Sequence, residues 1–305
     1  MTKYRKAAKK PTRRLFLTTA GQLAVGYSLI PLHGVAASAM PSRFTIGLSQ
    51  YSLRALFKNG TLDPLDFPAF AVNTFGIETI DLSESQLPKD KLDDFTYLEM
   101  LRNRASNAGT NLYLLMAEVL DATETNRRES IEELLPSIKR TQALGCQFTR
   151  VFLKVPGEDP AAGTTLAVEA LKPLADAAAK SKVTLVIEPG ASPLSEKGAF
   201  LAEVAKRLDH PACRLMPDFG KLRNNVYEGT EAMLPWTATI SCKMHNFDNA
   251  GNQPDFDYPR LIKMIAASEY RGVLAIEWEG ERLTPIEGVK ASQRLIENSL
   301  AELAS

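Results

Sequence analysis

Several late apolar runs of this 305-residue chain end on an acid or a histidine. Glu188 closes Val-Ile-Glu-Pro-Gly, Asp218 closes Met-Pro-Asp-Phe-Gly, His245 closes Cys-Lys-Met-His-Asn, and Glu277 with Glu279 close Ala-Ile-Glu-Trp-Glu-Gly. If these runs are parallel strands of one barrel, their carboxyl ends converge on one face. Three carboxylates and an imidazole meeting there would make an oxygen-rich divalent-metal site with room for a substrate. Each residue alone has a plainer reading: a salt bridge for Glu188, a helix cap for Asp218, a structural ring for His245. Four such coincidences at the ends of four successive strands are harder to accept than one site. Glu277 and Glu279 lie two apart and face the same way, and Glu277 is favoured because it ends the apolar run directly, leaving Glu279 to face substrate. Lys243 and Arg150, basic residues on strands, would either steady negative charge on a substrate or pair with the acids.

The elements needed to position these residues recur along the chain. Short β-branched or apolar runs cover 44–50, 79–83, 112–117, 149–154, 184–188, 213–218, 239–245 and 273–277. Amphipathic segments alternate with them at 65–75, 97–108, 127–144, 165–181, 198–208, 231–235, 258–268 and 285–303. The third of these segments suits both caps and dipole: Asn126 precedes it, Glu129 and Glu132 come early, Lys139 and Arg140 late, and Gly145 ends it. Eight strands alternating with eight helices predict an α/β fold, a (β/α)8 TIM barrel forming a single domain over 40–305. An open doubly wound sheet would more often carry a glycine-rich turn after its first strand, where this chain has Gln50-Tyr51-Ser52-Leu53.

Residues 1–39 read as a targeting segment. Its start carries seven basic residues and no acid, an apolar stretch follows from Leu15 to Leu32, and Ala37-Ser38-Ala39 offers a cleavage site. The run Thr12-Arg13-Arg14-Leu15-Phe16-Leu17 resembles a twin-arginine signal, which implies export to the periplasm of an already folded protein. Without those seven basic residues the formal charge of zero becomes 29 Lys and Arg against 36 Asp and Glu, a net of −7. Such a surface is unsuited to nucleic acid. No later stretch is apolar enough for a membrane span, so no membrane partner is expected after cleavage. Cys146, Cys213 and Cys242 are widely spaced in apolar runs and predict buried thiols rather than a disulfide framework.

In order and spacing, the four strand-end motifs resemble the xylose isomerase-like TIM barrel superfamily, in particular its sugar phosphate isomerase/epimerase branch. The resemblance covers about 44–300. It implies one divalent metal, manganese foremost with zinc, magnesium or cobalt as alternatives, held by Glu188, Asp218, His245 and Glu277. It also implies Glu188 and Glu277 as the catalytic pair on either side of a sugar carbon. Ketose epimerases of the superfamily often carry a histidine three residues after the aspartate and an arginine shortly past the metal histidine. Here the first position is Lys221, and 246–251 has no arginine, which argues against a free ketose. The superfamily's DNA endonucleases need three zinc ions and more histidines than His210 and His245 supply.

The expected function is therefore a metal-dependent sugar isomerase or epimerase, acting by proton transfer next to a carbonyl of a small-molecule sugar or sugar derivative. The alternatives are a 3-keto-glycoside lyase using the same metal and acid/base pair, and a non-catalytic sugar-binding barrel. A homo-oligomer is compatible with all three. Substrate contacts are expected from Lys243, Arg150, Glu279 and Lys221, whereas Tyr51, Glu84 and Glu118 are expected to be ordinary solvated loop residues.

Overall fold

The computed structural model describes residues 43–222 and 225–303. The signal segment and cleavage site expected over 1–39 lie outside the described residues. Eight parallel strands form one sheet: β1 Phe44–Leu48, β2 Thr79–Ser83, β3 Asn111–Asp121, β4 Phe148–Lys154, β5 Thr184–Glu188, β6 Cys213–Leu215, β7 Ile240–Met244 and β8 Gly272–Trp278. Their order is β6-β5-β4-β3-β2-β1-β8-β7. The two ends of that order meet through bridges from Leu215 to Thr237 and from Asp218 to Ser241, with Ala238 and Ser241 amides donating to Leu215 and Pro217 carbonyls at 3.0 and 2.9 Å. The fold is the expected (β/α)8 TIM barrel.

Nine α-helices lie among the described residues, in chain order α1 Arg54–Lys58, α2 Phe67–Phe75, α3 Phe95–Asn107, α4 Arg127–Leu144, α5 Pro160–Lys180, α6 Gly198–Leu208, α7 Val226–Met233, α8 Tyr258–Ala267 and α9 Pro285–Glu302. Their ends follow from local chemistry. Asp159 accepts from the Ala161 amide ahead of Pro160 in α5, and Thr284 and Glu287 form a reciprocal capping box on α9. α4 stops at Gly145, whose φ of 76° is the left-handed conformation that ends many helices. Its other end departs from expectation. Asn126 makes no cap and instead donates to Asp121 Oδ2 at 3.1 Å.

Among the strand ends that differ from the sequence reading, two shape the site. β6 stops at Leu215 because Pro217 has no amide to continue the ladder, so Asp218 sits beyond the strand and rejoins the sheet only by its bridge to Ser241. β7 stops at Met244, which puts His245 just past it. The short helix expected over 231–235 begins earlier, as α7, and ends in a 3-10 turn over Leu234–Trp236.

Most buried side chains fill the layer between sheet and helices. A smaller cluster fills the barrel itself, where Phe148, Val186, Met216 and Ala275 pack with Tyr113 and Met116. One pleat further along β4, β5 and β8 come Arg150, Glu188 and Glu277 on the same face, so a charged layer rests on an apolar plug. The three cysteines are buried and free, and burial pushes the Cys213 thiol up to about 12. No helix among the described residues is long and apolar enough to cross a membrane.

Candidate active site

The charged layer is almost wholly covered: Glu188, Asp218 and Glu277 are 1%, 0% and 4% exposed. Carboxylate oxygens of these three residues lie within 4.8 Å of one another, a cluster that could bind a metal ion. Acids so buried require nearby positive charge or protons. Two cations of the chain supply the charge. Arg150 Nε lies 2.8 Å from Glu188 Oε2, off the axis of a proper hydrogen bond, while Arg150 also donates to the Ala117 carbonyl at 2.7 Å. Lys243 Nζ lies 3.0 Å from Asp218 Oδ2, 3.6 Å from Glu277 Oε2 and 2.7 Å from Glu279 Oε1, and is itself 3% exposed.

Register explains why Lys243 and not His245 stands among the acids. On β7, Lys243 pairs directly across from Glu277 of β8, and Ser241 one pleat below donates to Glu277 Oε2 at 2.6 Å. His245 shares that face one pleat further out and is only half-buried. A Cβ placed on Gly220 would come 3.0 Å from His245 Cε1 and 2.6 Å from Lys243 Cδ, so the bare glycine after Asp218-Phe219 lets both side chains pass. The structure thus gathers three of the four expected ligands and leaves His245 outside the cluster.

The protonation pattern is uneven. Burial pushes Glu188 well above the usual carboxylate range despite Arg150, with Asp218 and Glu277 adding to the rise. Glu277 is also raised by burial, opposed chiefly by Lys243. Burial acts the same way on Asp218, but Lys243 and the Lys221 amide, which donates to Asp218 Oδ1 at 3.0 Å, outweigh it and lower the carboxyl. For Lys243, burial favours the neutral amine, yet the four surrounding acids outweigh it and hold the side chain well above its ordinary value. Lys243 is therefore an ammonium in this setting, not a nucleophilic amine.

The remaining expected residues fall around this centre. Glu279 is 24% exposed at the outer side of Lys243. Lys221 holds its ammonium 5.4 Å from the centre of the Phe152 ring, at the rim. Tyr51 is half-buried, with the Arg54 guanidinium over its ring, and Glu118 is exposed. Glu84 departs from the solvated role expected of it: it is 6% exposed and bound to Arg140 at 2.9 Å and the Ser137 hydroxyl at 3.1 Å. His210 is remote from the acids and contacts Asp176 at 3.2 Å.

Sequence reasoning missed Asp81 and Gln50. Asp81 is fully buried on β2, close enough to Glu277 that burial first and that charge second raise its carboxyl well above normal. Its Oδ1 accepts from the Gln50 amide at 3.0 Å, while Asp81 Oδ2 and Gln50 Nε2 have no hydrogen-bond partner. The signal was available: Asp81 interrupts the otherwise apolar centre of Thr79-Ile80-Asp81-Leu82-Ser83.

Residues 70–299 match the family described as xylose isomerase-like TIM barrel. The chain belongs to that family. Among curated proteins, the alpha subunit of a C-glycoside deglycosidase from Arthrobacter globiformis is 30% identical over 76 residues, 23% of this chain and 22% of the relative. The chain thus matches only about a fifth of that relative's length. Among solved structures, the 3-keto-D-glucoside 4-epimerase of E. coli superposes with a TM-score of 0.60 at 12% identity, over 84% of this chain and 99% of the other. The IolI protein, solved with a bound zinc atom, gives 0.68 at 13% identity, over 85% and 98%. At such identities these structures establish the shared xylose isomerase-like fold. The solved structural neighbours include epimerases, and zinc or magnesium is present in some of them.

Proposed function

We propose that this chain is an exported enzyme that moves a proton next to a carbonyl of a sugar or sugar derivative, as an isomerase or epimerase. The observation that carries the reading is the pair of buried carboxylates, Glu188 and Glu277, in unequal environments, Glu188 beside the Arg150 guanidinium and Glu277 beside the Lys243 ammonium. When two acids are pushed apart in proton affinity, the one that ionises first serves as base and the other as acid. Glu277, close to Lys243 and hydrogen-bonded by Ser241, is the base. Glu188, raised further by burial, keeps its proton and is the acid.

The step follows from those assignments. Glu277 takes the proton from the carbon beside the carbonyl, and the C–H electron pair becomes the carbon–carbon double bond of an enediolate. The carbonyl π pair moves onto oxygen, whose negative charge needs a positive neighbour. Reprotonation of the same carbon by Glu188 restores the carbonyl with the configuration changed, whereas protonation of the former carbonyl carbon, with the adjacent hydroxyl proton passing to the former carbonyl oxygen, moves the carbonyl; proton exchange with solvent then resets the pair. The empty hydrogen-bonding valences of Gln50 Nε2 and Glu188 Oε1 are available to substrate hydroxyls.

Three clustered carboxylates are donors of the type that the manganese-type ion implied by family resemblance would use. As placed, the residues do not fit it. His245 does not join the cluster, and Lys243 Nζ already lies 3.0 and 3.6 Å from the Asp218 and Glu277 oxygens that an ion would use. No step above passes through a metal.

A lyase is the second reading, favoured by the relative named as a C-glycoside deglycosidase. The same base would then act beside a keto group of an oxidised glycoside, with the enolate expelling the aglycone and Glu188 protonating it. Incubating the purified protein with keto sugars and keto-glycosides in D2O separates the readings. Deuterium uptake at unchanged heavy-atom composition supports isomerisation, and a released second product supports the lyase. Exchange that is undiminished in Glu277→Gln would remove Glu277 from either mechanism.

A further inference from the structure

We propose that Lys243 is the resident cation of this site, doing the charge work of a divalent ion and excluding one from Glu188, Asp218 and Glu277. Its role toward substrate rests on the proton-transfer reading above, but its exclusion of metal does not. The geometry is specific. The ammonium contacts three acids, Asp218 Oδ2 at 3.0 Å, Glu277 Oε2 at 3.6 Å and Glu279 Oε1 at 2.7 Å, and two of those acids belong to the only metal-compatible cluster among the described residues.

Lys243 is built into this place rather than swung there from the surface. It sits directly across the ladder from Glu277. Its stem passes the bare face of Gly220, where an added Cβ would stand 2.6 Å from Lys243 Cδ and 2.8 Å from Cγ. Its own backbone carbonyl is fixed by the Tyr258 hydroxyl at 2.9 Å. A lysine so enclosed has few rotamers available for leaving. An ion bound to Asp218 and Glu277 would therefore sit within a few ångströms of the ammonium. Two unit charges about 4 Å apart change an equilibrium constant about a thousandfold at the effective dielectric of a protein site, and a divalent ion doubles the repulsion.

In the reaction, the ammonium faces the oxygen that gains charge as Glu277 removes the proton. It donates a hydrogen bond to that oxygen without giving up its own proton, so the step remains balanced between Glu277 and Glu188. The excess of acids over cations leaves room for this hydrogen bond, because Glu279 is partly exposed and can yield the ammonium to a substrate oxygen.

The test is metal binding, which needs no substrate. Wild-type protein, Lys243→Met, Lys243→His and Lys243→Met combined with Glu188→Gln are dialysed against Mn2+ and Zn2+, analysed for metal content and titrated with each ion by calorimetry. Circular dichroism checks folding. The expected result is no stoichiometric metal in the wild type. Either single variant should then gain about one equivalent, bound at least about a thousandfold more tightly, and the Glu188→Gln combination should lose it. About one equivalent of tightly held metal in the wild type overturns the proposal, and so does the absence of metal from every folded variant. If neither variant folds, the wild-type metal content decides. Failure of the reaction itself is seen separately, as no deuterium exchange in a protein found free of metal.

Discussion

Removing Arg150 isolates the electrostatic design of the charged layer. In Arg150→Met the stem is roughly retained, but Glu188 Oε2 loses the guanidinium 2.8 Å away and the Ala117 carbonyl loses a 2.7 Å hydrogen bond. Both partners are buried, at 1% and 4% exposure. Breaking a buried pair from one side costs about 3–5 kcal/mol, of which the orphaned carbonyl accounts for about 1–2 kcal/mol. The remainder depends on pH, and its sign follows from linkage. Glu188 already holds its proton more tightly folded than unfolded, so it favours the folded state fully below the unfolded value of about 4.3 and loses that contribution as pH rises through the folded value. Without Arg150 the folded value rises further, and the loss continues to higher pH. The stability difference between wild type and Arg150→Met, measured by urea denaturation followed by circular dichroism, should therefore be about 1–2 kcal/mol near pH 4.5 and grow to about 3–5 kcal/mol by pH 8. Adding Glu188→Gln should recover most of the pH-dependent part. A difference that is constant across this range, or a double variant no more stable at pH 8 than Arg150→Met, would refute the claim that Arg150 exists to compensate Glu188.

Two further outcomes test the packing around the site and the fold that carries it. Gly220→Ala should destabilise by about 1–3 kcal/mol in the same urea assay, because its Cβ meets the Lys243 stem at 2.6 Å, and should also weaken any carbohydrate binding detected by calorimetry. Thr284→Ala removes the capping box of α9 and should cost about 1 kcal/mol in urea while leaving deuterium exchange at its wild-type rate.

Strand-end acids were legible in the sequence because a carboxylate directly after three apolar residues, as at Glu188, has few destinations other than a barrel mouth. The alternation of strands and helices was legible for the same periodic reason. Depth along a strand was not. The two-residue period places Ser241, Lys243 and His245 on one face without saying which of them stands level with Glu277, and that is decided by the β7 to β8 register. Pro217 was visible, but its effect of ending β6 early and handing Asp218 to a bridge with Ser241 depends on the neighbouring strand. Glu84 was misread as a loop residue because Arg140, its partner, lies 56 residues later on α4. Such pairings leave no local pattern.

The charges of the site constrain its chemistry more tightly than any single residue does. Glu188, Asp218, Glu277 and Glu279 face Arg150 and Lys243, so full ionisation of these six groups would leave an excess of two negative charges in a nearly closed space, with buried Asp81 beside them holding its own proton more tightly than usual. A divalent ion can cancel that excess, and so can two protons. Lys243 occupies the position from which an ion would contact Asp218 and Glu277, while burial raises the proton affinity of both Glu188 and Glu277. Both facts favour protons. A site neutralised by protons on the two carboxylates proposed to be catalytic must give up one of them before it can act as a base, and Lys243 makes Glu277 the easier one to ionise. Turnover should accordingly rise with pH as Glu277 loses its proton and fall again as Glu188 loses its own, with both limbs unaffected by chelators. A metal-held site would instead lose activity on chelation, and neutralising Lys243 would then leave its metal content unchanged.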